Sequence, residues 1–138
     1  MKLTRRYRFA ASHRLHSPEF DEAENDRIYG KCNNPYGHGH NYVLEVTVRG
    51  PVDAVTGRVV DVPVLDGFVQ QEIVSRYDHR NLNVQVEELA GLVPTTEVVS
   101  RAIHTRLSQS WPPALPVLER VRIWETRNNI FEVSKETA

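Results

Sequence analysis

The chain has 138 residues, with 17 Lys and Arg against 18 Asp and Glu and a formal net charge of -1. That length suits one domain over 1–138 with a real core and not two, and the even charge balance excludes a basic footprint for nucleic acid or a membrane surface. No apolar run is long enough to span a bilayer, the first six residues lead into no signal-peptide core, and a single cysteine excludes an internal disulfide, so the expectation is a soluble cytoplasmic protein.

Alternation begins at about residue 5. Tyr7, Phe9, Ala11 and His13 fall on one side and Arg6, Arg8, Ala10 and Ser12 on the other, which predicts a half-buried strand over 5–13. A histidine at a strand end is usually of no consequence, but His13 caps the apolar face of its strand just as His38 and His40 open one. Residues 16–29 are polar and acid-rich, as a loop with a short helix and a solvated face would be. The H-x-H pair His38 and His40 shares one side with Tyr42, Leu44, Val46 and Val48, since residues two apart in a strand point the same way. That strand ends at Gly50-Pro51. Asp53, Thr56 and Gly57 then turn the chain back into 58–62, predicting an antiparallel hairpin.

Pro63 suits the first turn of a helix. Behind it Val64, Leu65, Phe68, Val69, Ile73, Val74 and Tyr77 form one apolar stripe, and a polar loop runs from Asp78 to Gly91. A second helix follows Pro94, with Thr95 as its cap and Glu97 set against the helix dipole. Val98, Val99, Ala102, Ile103 and Leu107 make its buried stripe. His104 lies off that stripe and is expected at the surface. Trp111-Pro112-Pro113 ends the helix. Residues 117–126 read as a strand whose face with Val117, Val121 and Ile123 also carries Glu119 and Glu125; Asn128-Asn129 then turns into a last strand over 130–133. Two hairpins with two helices between them predict an α+β fold, a four-stranded antiparallel sheet with two helices packed on one face.

Catalytic zinc takes three protein ligands and keeps a fourth position open. His13, His38 and His40 can supply such a set from two neighbouring strands. Cys32 lies five residues before His38, and two roles stay open for it: a fourth ligand that closes a structural site, or a free thiol that shuttles a proton beside a cation. Asp78-His79 is either an acid/base pair or a helix-end histidine favoured by the dipole, with a solvated aspartate. Glu125 continues an inward face where an unpaired carboxylate is costly. It needs a basic partner or a ligand offering paired N–H donors, and Arg120 and Arg122 fall on the opposite face.

Five motifs, in order along nearly the whole chain, carry a resemblance. They are Phe9-Ala10-Ala11-Ser12-His13-Arg14-Leu15; Gly30-Lys31-Cys32-Asn33-Asn34-Pro35 through Gly37-His38-Gly39-His40-Asn41-Tyr42; Asp78-His79-Arg80-Asn81-Leu82; Thr95-Thr96-Glu97; and Glu125-Thr126 followed by Asn128-Asn129-Ile130. With them the chain resembles the 6-pyruvoyl-tetrahydropterin synthase family of tunnelling-fold, pterin-binding enzymes. The resemblance implies zinc on His13, His38 and His40, Cys32 as proton acceptor, and Asp78 and His79 completing a relay from a neighbouring subunit. It implies a pterin pocket that includes Thr95, Thr96 and Glu97, with Glu125 either pairing with the pterin N–H groups or joining the relay. It also implies a homohexamer of two trimers with active sites at subunit interfaces. The implied reaction converts 7,8-dihydroneopterin triphosphate to 6-pyruvoyl-tetrahydropterin with loss of triphosphate, for which Arg14 and Lys31 are the candidate cations by position.

The nearest rival is the 6-carboxy-tetrahydropterin synthase branch of queuosine biosynthesis, whose members have three residues between the cysteine and the H-x-H pair. The five found here and Asn128-Asn129 resemble the pyruvoyl branch, while Pro94 resembles the carboxy branch and Val98 stands where the pyruvoyl branch often has Asn. A catalytically silent, zinc-stabilised binding protein, with Cys32 as fourth ligand, is the alternative of a different class.

Overall fold

Two strands of 12 residues, β1 (Lys2–His13) and β2 (His38–Arg49), pair antiparallel along their whole length. The computed structural model describes residues 1–137. β4 (Val117–Trp124) takes the other edge of β2, and β5 (Ile130–Ser134) adds to β4. A two-residue strand, β3 (Arg80–Asn81), lies parallel to β1, so the sheet has five strands in the order β3-β1-β2-β4-β5. The expected four-stranded, wholly antiparallel sheet is corrected on both counts. The expected strand over 58–62 is also absent. Asp53 accepts from the backbone N–H groups of Val55 and Thr56 at 2.8 and 2.9 Å, which closes a tight turn instead of a hairpin. Both edges of β2 are already taken, by β1 and β4, so that segment cannot pair back onto β2.

α1 (Glu22–Tyr29) starts at Asp21, whose carboxylate accepts from the Glu24 N–H at 2.8 Å. α2 (Val62–Val69) runs through a π-helical turn, Gln70–Val74, into a last short segment, α3 (Ser75–Tyr77). α4 (Thr96–Ser110) is capped by Thr95, whose Oγ1 accepts from the Val98 N–H at 3.3 Å. The apolar sides of α2, its π-helical continuation, α3 and α4 meet the sheet residues Phe9, Tyr42, Leu44, Val46, Val121 and Ile123, and Leu65, Val69, Ile73, Tyr77, Val99, Ile103 and Leu107 are buried against them.

The buried side of α4 is wider than its apolar stripe. Thr96 and Ser100 are buried, and so is His104, which was expected at the surface. The Ser100 hydroxyl donates back to the Thr96 carbonyl at 2.6 Å, which lets this small polar row be buried at low cost. Burial also lowers the His104 pKa below the ordinary histidine value.

The other sheet face is polar. Glu45, 4% exposed, accepts from Arg6 Nε at 2.8 Å and lies 3.7 Å from Arg122 Nε. Thr4 and Thr47 join their hydroxyls at 2.7 Å.

Candidate metal centre and its surroundings

Three imidazoles converge where β1 ends and β2 begins. The register pairs His13 with His38 and Ala11 with His40, which puts all three rings on the helix-covered face. Their ligand atoms lie within 4.8 Å of one another, and His13 Nε2 is 3.0 Å from His38 Nε2. His13 is 1% exposed, with its Nδ1 2.8 Å from the Pro94 carbonyl. A carbonyl only accepts, so Nδ1 carries the hydrogen and Nε2 presents a lone pair to the cluster. A backbone carbonyl behind the ring is a common way to orient a metal-ligating histidine. Burial is the largest influence on both His13 and His40 and lowers their pKa values, favouring the neutral form that a metal requires. Three neutral nitrogen donors fit a borderline-soft cation such as zinc, with a position to spare.

The loop before β2 is folded to allow this approach. Gly37 has φ of 73°, and a Cβ there would stand 3.0 Å from the His13 carbonyl oxygen. Asn34 closes the turn, accepting from Gly37 N–H at 2.9 Å and, through Oδ1, from Tyr36 N–H at 3.0 Å. Cys32 sits half-buried in the 3-10 turn Gly30–Asn33, its carbonyl accepting from Leu15 N–H at 2.7 Å. Its thiol is not among the converging ligand atoms. It does sit near Tyr42, whose hydroxyl pKa is raised first by burial, then by Glu125, with Cys32 also contributing.

Glu125 follows β4 directly and is half-buried. Its Oε2 accepts from the Thr96 hydroxyl, and its charge opposes the lowering of both His13 and His40, which places it beside the cluster. Arg120 and Arg122 are committed on the other face, Arg120 to Glu132 and Arg122 to Glu45 and Glu132. Among the described residues Glu125 has no cationic partner.

The other candidate residues are spread around this centre. Thr95 is the α4 cap, Thr96 is buried, and Glu97 is exposed in the first helical turn. Asp78 accepts from Ala10 N–H at 2.8 Å, and this bond is the main cause of its lowered pKa. His79, with φ of 59°, donates its N–H to the Ala10 carbonyl, while its ring, 82% exposed, has its Nδ1 3.0 Å from the Asp78 carboxylate. No hydrogen bond joins this pair to Cys32 or to the cluster among the described residues. Arg14 and Lys31 line one cleft of about 660 Å³. Residues that sequence reasoning passed over include Pro94, which acts through its backbone and so leaves no side-chain signal, and Tyr42, whose apolar-face position concealed its hydroxyl.

A family model described as 6-pyruvoyl tetrahydropterin synthase matches residues 2–136. The chain is 46% identical over 131 residues to the 6-pyruvoyl tetrahydrobiopterin synthase of Drosophila melanogaster, covering 94% of this chain and 76% of that protein. Against the Homo sapiens protein of the same name it is 43% identical over 129 residues, covering 94% and 88%. The solved structure of Caenorhabditis elegans 6-pyruvoyl tetrahydropterin synthase superposes with a TM-score of 0.88 at 40% identity, over 97% of this chain and 94% of that one.

The geometry predicts that the protein as purified with zinc retains about one ion per chain, and that His38→Ala or His40→Ala retains almost none, by elemental analysis after dialysis, with unchanged far-ultraviolet circular dichroism. Loss of one imidazole with full metal retention would contradict the three-histidine set. The lowered pKa values also set a pH dependence for the metal-free protein. His13, His40 and His104 all lie below their unfolded value of about 6.5. Below that pH the unfolded chain binds protons first, so their contribution to stability is complete above it and drains away as pH falls through the folded values. Urea midpoints are expected to drop between about pH 7.5 and 5.5; a midpoint that rises on acidification would refute the sign.

Proposed function

Since this chain belongs to the 6-pyruvoyl tetrahydropterin synthase family, we propose that it is a zinc-dependent lyase that converts 7,8-dihydroneopterin triphosphate to 6-pyruvoyl-tetrahydropterin and releases triphosphate. The observation that carries this reading is the three-histidine cluster beside a half-buried carboxylate that lacks a cation. The name shared by the relatives supports the pyruvoyl product over the carboxy one, and the thiol's place outside the converging ligands supports an open site over a closed structural one.

His13, His38 and His40 would hold the zinc. Bound there, it supplies Lewis-acid polarisation of the substrate's side-chain oxygens, which eases loss of neighbouring protons. The remaining tasks fall to side chains. Thr96 donates to one Glu125 oxygen, leaving the second to accept from the pterin ring N–H groups, with Thr95 and Glu97 completing that end of the pocket. Cys32 accepts the proton. Asp78 and His79 complete the relay from a neighbouring copy, which their exposed place beside β1, unattached to their own Cys32, supports. Arg14 and Lys31, in one cleft, receive the triphosphate. The assembly is a cytoplasmic homohexamer of two trimers in the tunnelling fold, with active sites at subunit interfaces.

The decisive experiment incubates the zinc-loaded protein with dihydroneopterin triphosphate and identifies the products. Triphosphate and 6-pyruvoyl-tetrahydropterin are expected. No triphosphate release at full zinc loading sinks the reading, and acetaldehyde with a carboxypterin moves the chain to the carboxy branch. In the same assay Cys32→Ala is expected to keep its zinc and lose about 100-fold or more in turnover; loss of metal together with activity would make Cys32 a ligand instead.

A further inference from the structure

His16 lies just beyond β1 and lines the same cleft of about 660 Å³ as Arg14 and Lys31. Its Nδ1 is 2.9 Å from Asn33 Oδ1, and Asn33 Nδ2 donates to Asp26 Oδ1 at 2.8 Å. The carboxylate only accepts, so turning the Asn33 amide round would set two acceptors against each other. Asn33 Oδ1 is therefore the acceptor, and His16 Nδ1 carries a hydrogen and donates. Asn33 is held firmly in this role: it is 6% exposed, and its backbone carbonyl accepts from Arg14 Nε at 3.0 Å.

The run Asp26–Asn33–His16 fixes both the tautomer and the ring orientation of His16. Its Nε2 has no hydrogen-bond partner among the described residues. Because Nδ1 is already a donor, adding a proton at Nε2 creates a cation without breaking any internal hydrogen bond. An anion in the cleft favours that charged form. Two carboxylates also line the cleft: Asp26 is engaged by the Asn33 amide, and Glu22 remains to repel an anion, which makes a further positive group there more valuable.

We propose that His16 is a third anion-binding residue of this cleft, its imidazolium Nε2–H donating to a phosphate oxygen of the substrate's polyphosphate tail alongside Arg14 and Lys31. This rests on the assignment of the cleft to the triphosphate. His16 touches the tail and not the reacting pterin side chain, so it binds and positions.

The test measures binding of inorganic tripolyphosphate to the zinc-loaded protein by calorimetry, with zinc content verified before and after, for wild type and His16→Phe. A charge-assisted hydrogen bond predicts about tenfold or greater weakening in the variant. If His16→Phe does not fold, His16→Gln, which keeps an amide donor for Asn33, carries the same comparison. Independently, nitrogen NMR of the ring-labelled wild type is expected to move His16 Nε2 to the protonated range on adding tripolyphosphate, with Nδ1 protonated throughout. A wild type that does not bind tripolyphosphate, a change below about threefold, or an unmoved Nε2 overturns the proposal. Triphosphate release from substrate with His16-independent binding removes this inference alone; His16-dependent binding without any release upholds it and removes the reaction.

Discussion

The register of β1 against β2 is the constraint on which the rest depends. It runs unbroken from Lys2↔Arg49 to His13↔His38, and a slip of one residue would turn His13 and the apolar positions of β1 to the other face. The register is enforced by burial. Phe9 is 2% exposed and Tyr42 is fully buried, and their rings stack with centroids 5.0 Å apart. A stacked aromatic pair adds about 0.5–1.5 kcal/mol beyond its area, and this one sits directly under the cluster. Tyr42 in turn meets the edges of His40 and His13, at 5.5 and 6.3 Å between centroids. The imidazoles are thus the outermost layer of the core.

The two faces of the same sheet follow different physics. On the helix side, stability comes from non-directional burial of aliphatic and aromatic groups. On the other side Glu45 is almost wholly buried without a helix above it. Its carboxylate is compensated by Arg6 and Arg122, whose guanidinium groups also lie 5.6 and 5.9 Å from the Trp124 ring centroid. Removing both arginines would leave the buried Glu45 charge uncompensated, so this face is specified by pairing. It also explains why Arg120 and Arg122 are unavailable to Glu125: alternation along β4 sends them to the polar side.

Strict alternation made β1, β2 and the 121–125 end of β4 legible, and with them the inward direction of His13, His38, His40 and Glu125. The start of β4 was misread, because a register shift opposite Thr47 and Val48 skips Glu119, leaving Val117 exposed and putting Leu118 against the core. The helical stripes were legible for the same reason, since each rests on a period. The errors fall where no period operates. Residues 58–62 have the apolar content of a strand, but whether they pair depends on a free edge, which is a property of the whole sheet. β3 is too short for any pattern and exists because Ala10 exchanges hydrogen bonds with Asp78 and His79. His104 was misplaced because an apolar stripe marks the centre of a buried face and says nothing of its width, and small polar neighbours at Thr96 and Ser100 let α4 settle closer. The His16 contacts were invisible because a hydrogen-bonded run through Asn33 joins α1 to the segment after β1 across a turn.

One short segment ties the three-histidine cluster to the Glu125 carboxylate. Pro94 and Thr96 are two residues apart at the start of α4. The Pro94 carbonyl holds the His13 ring by Nδ1, and the Thr96 hydroxyl holds Glu125. The α4 cap at Thr95 fixes the backbone between them. A shift of this segment would therefore turn the His13 imidazole and displace the carboxylate together, and neither can be adjusted alone. Such coupling holds an imidazole of the cluster and the Glu125 carboxylate at a set separation. It costs little, because both contacts use groups that a helix start leaves available: a carbonyl ahead of the cap and a hydroxyl in the first turn.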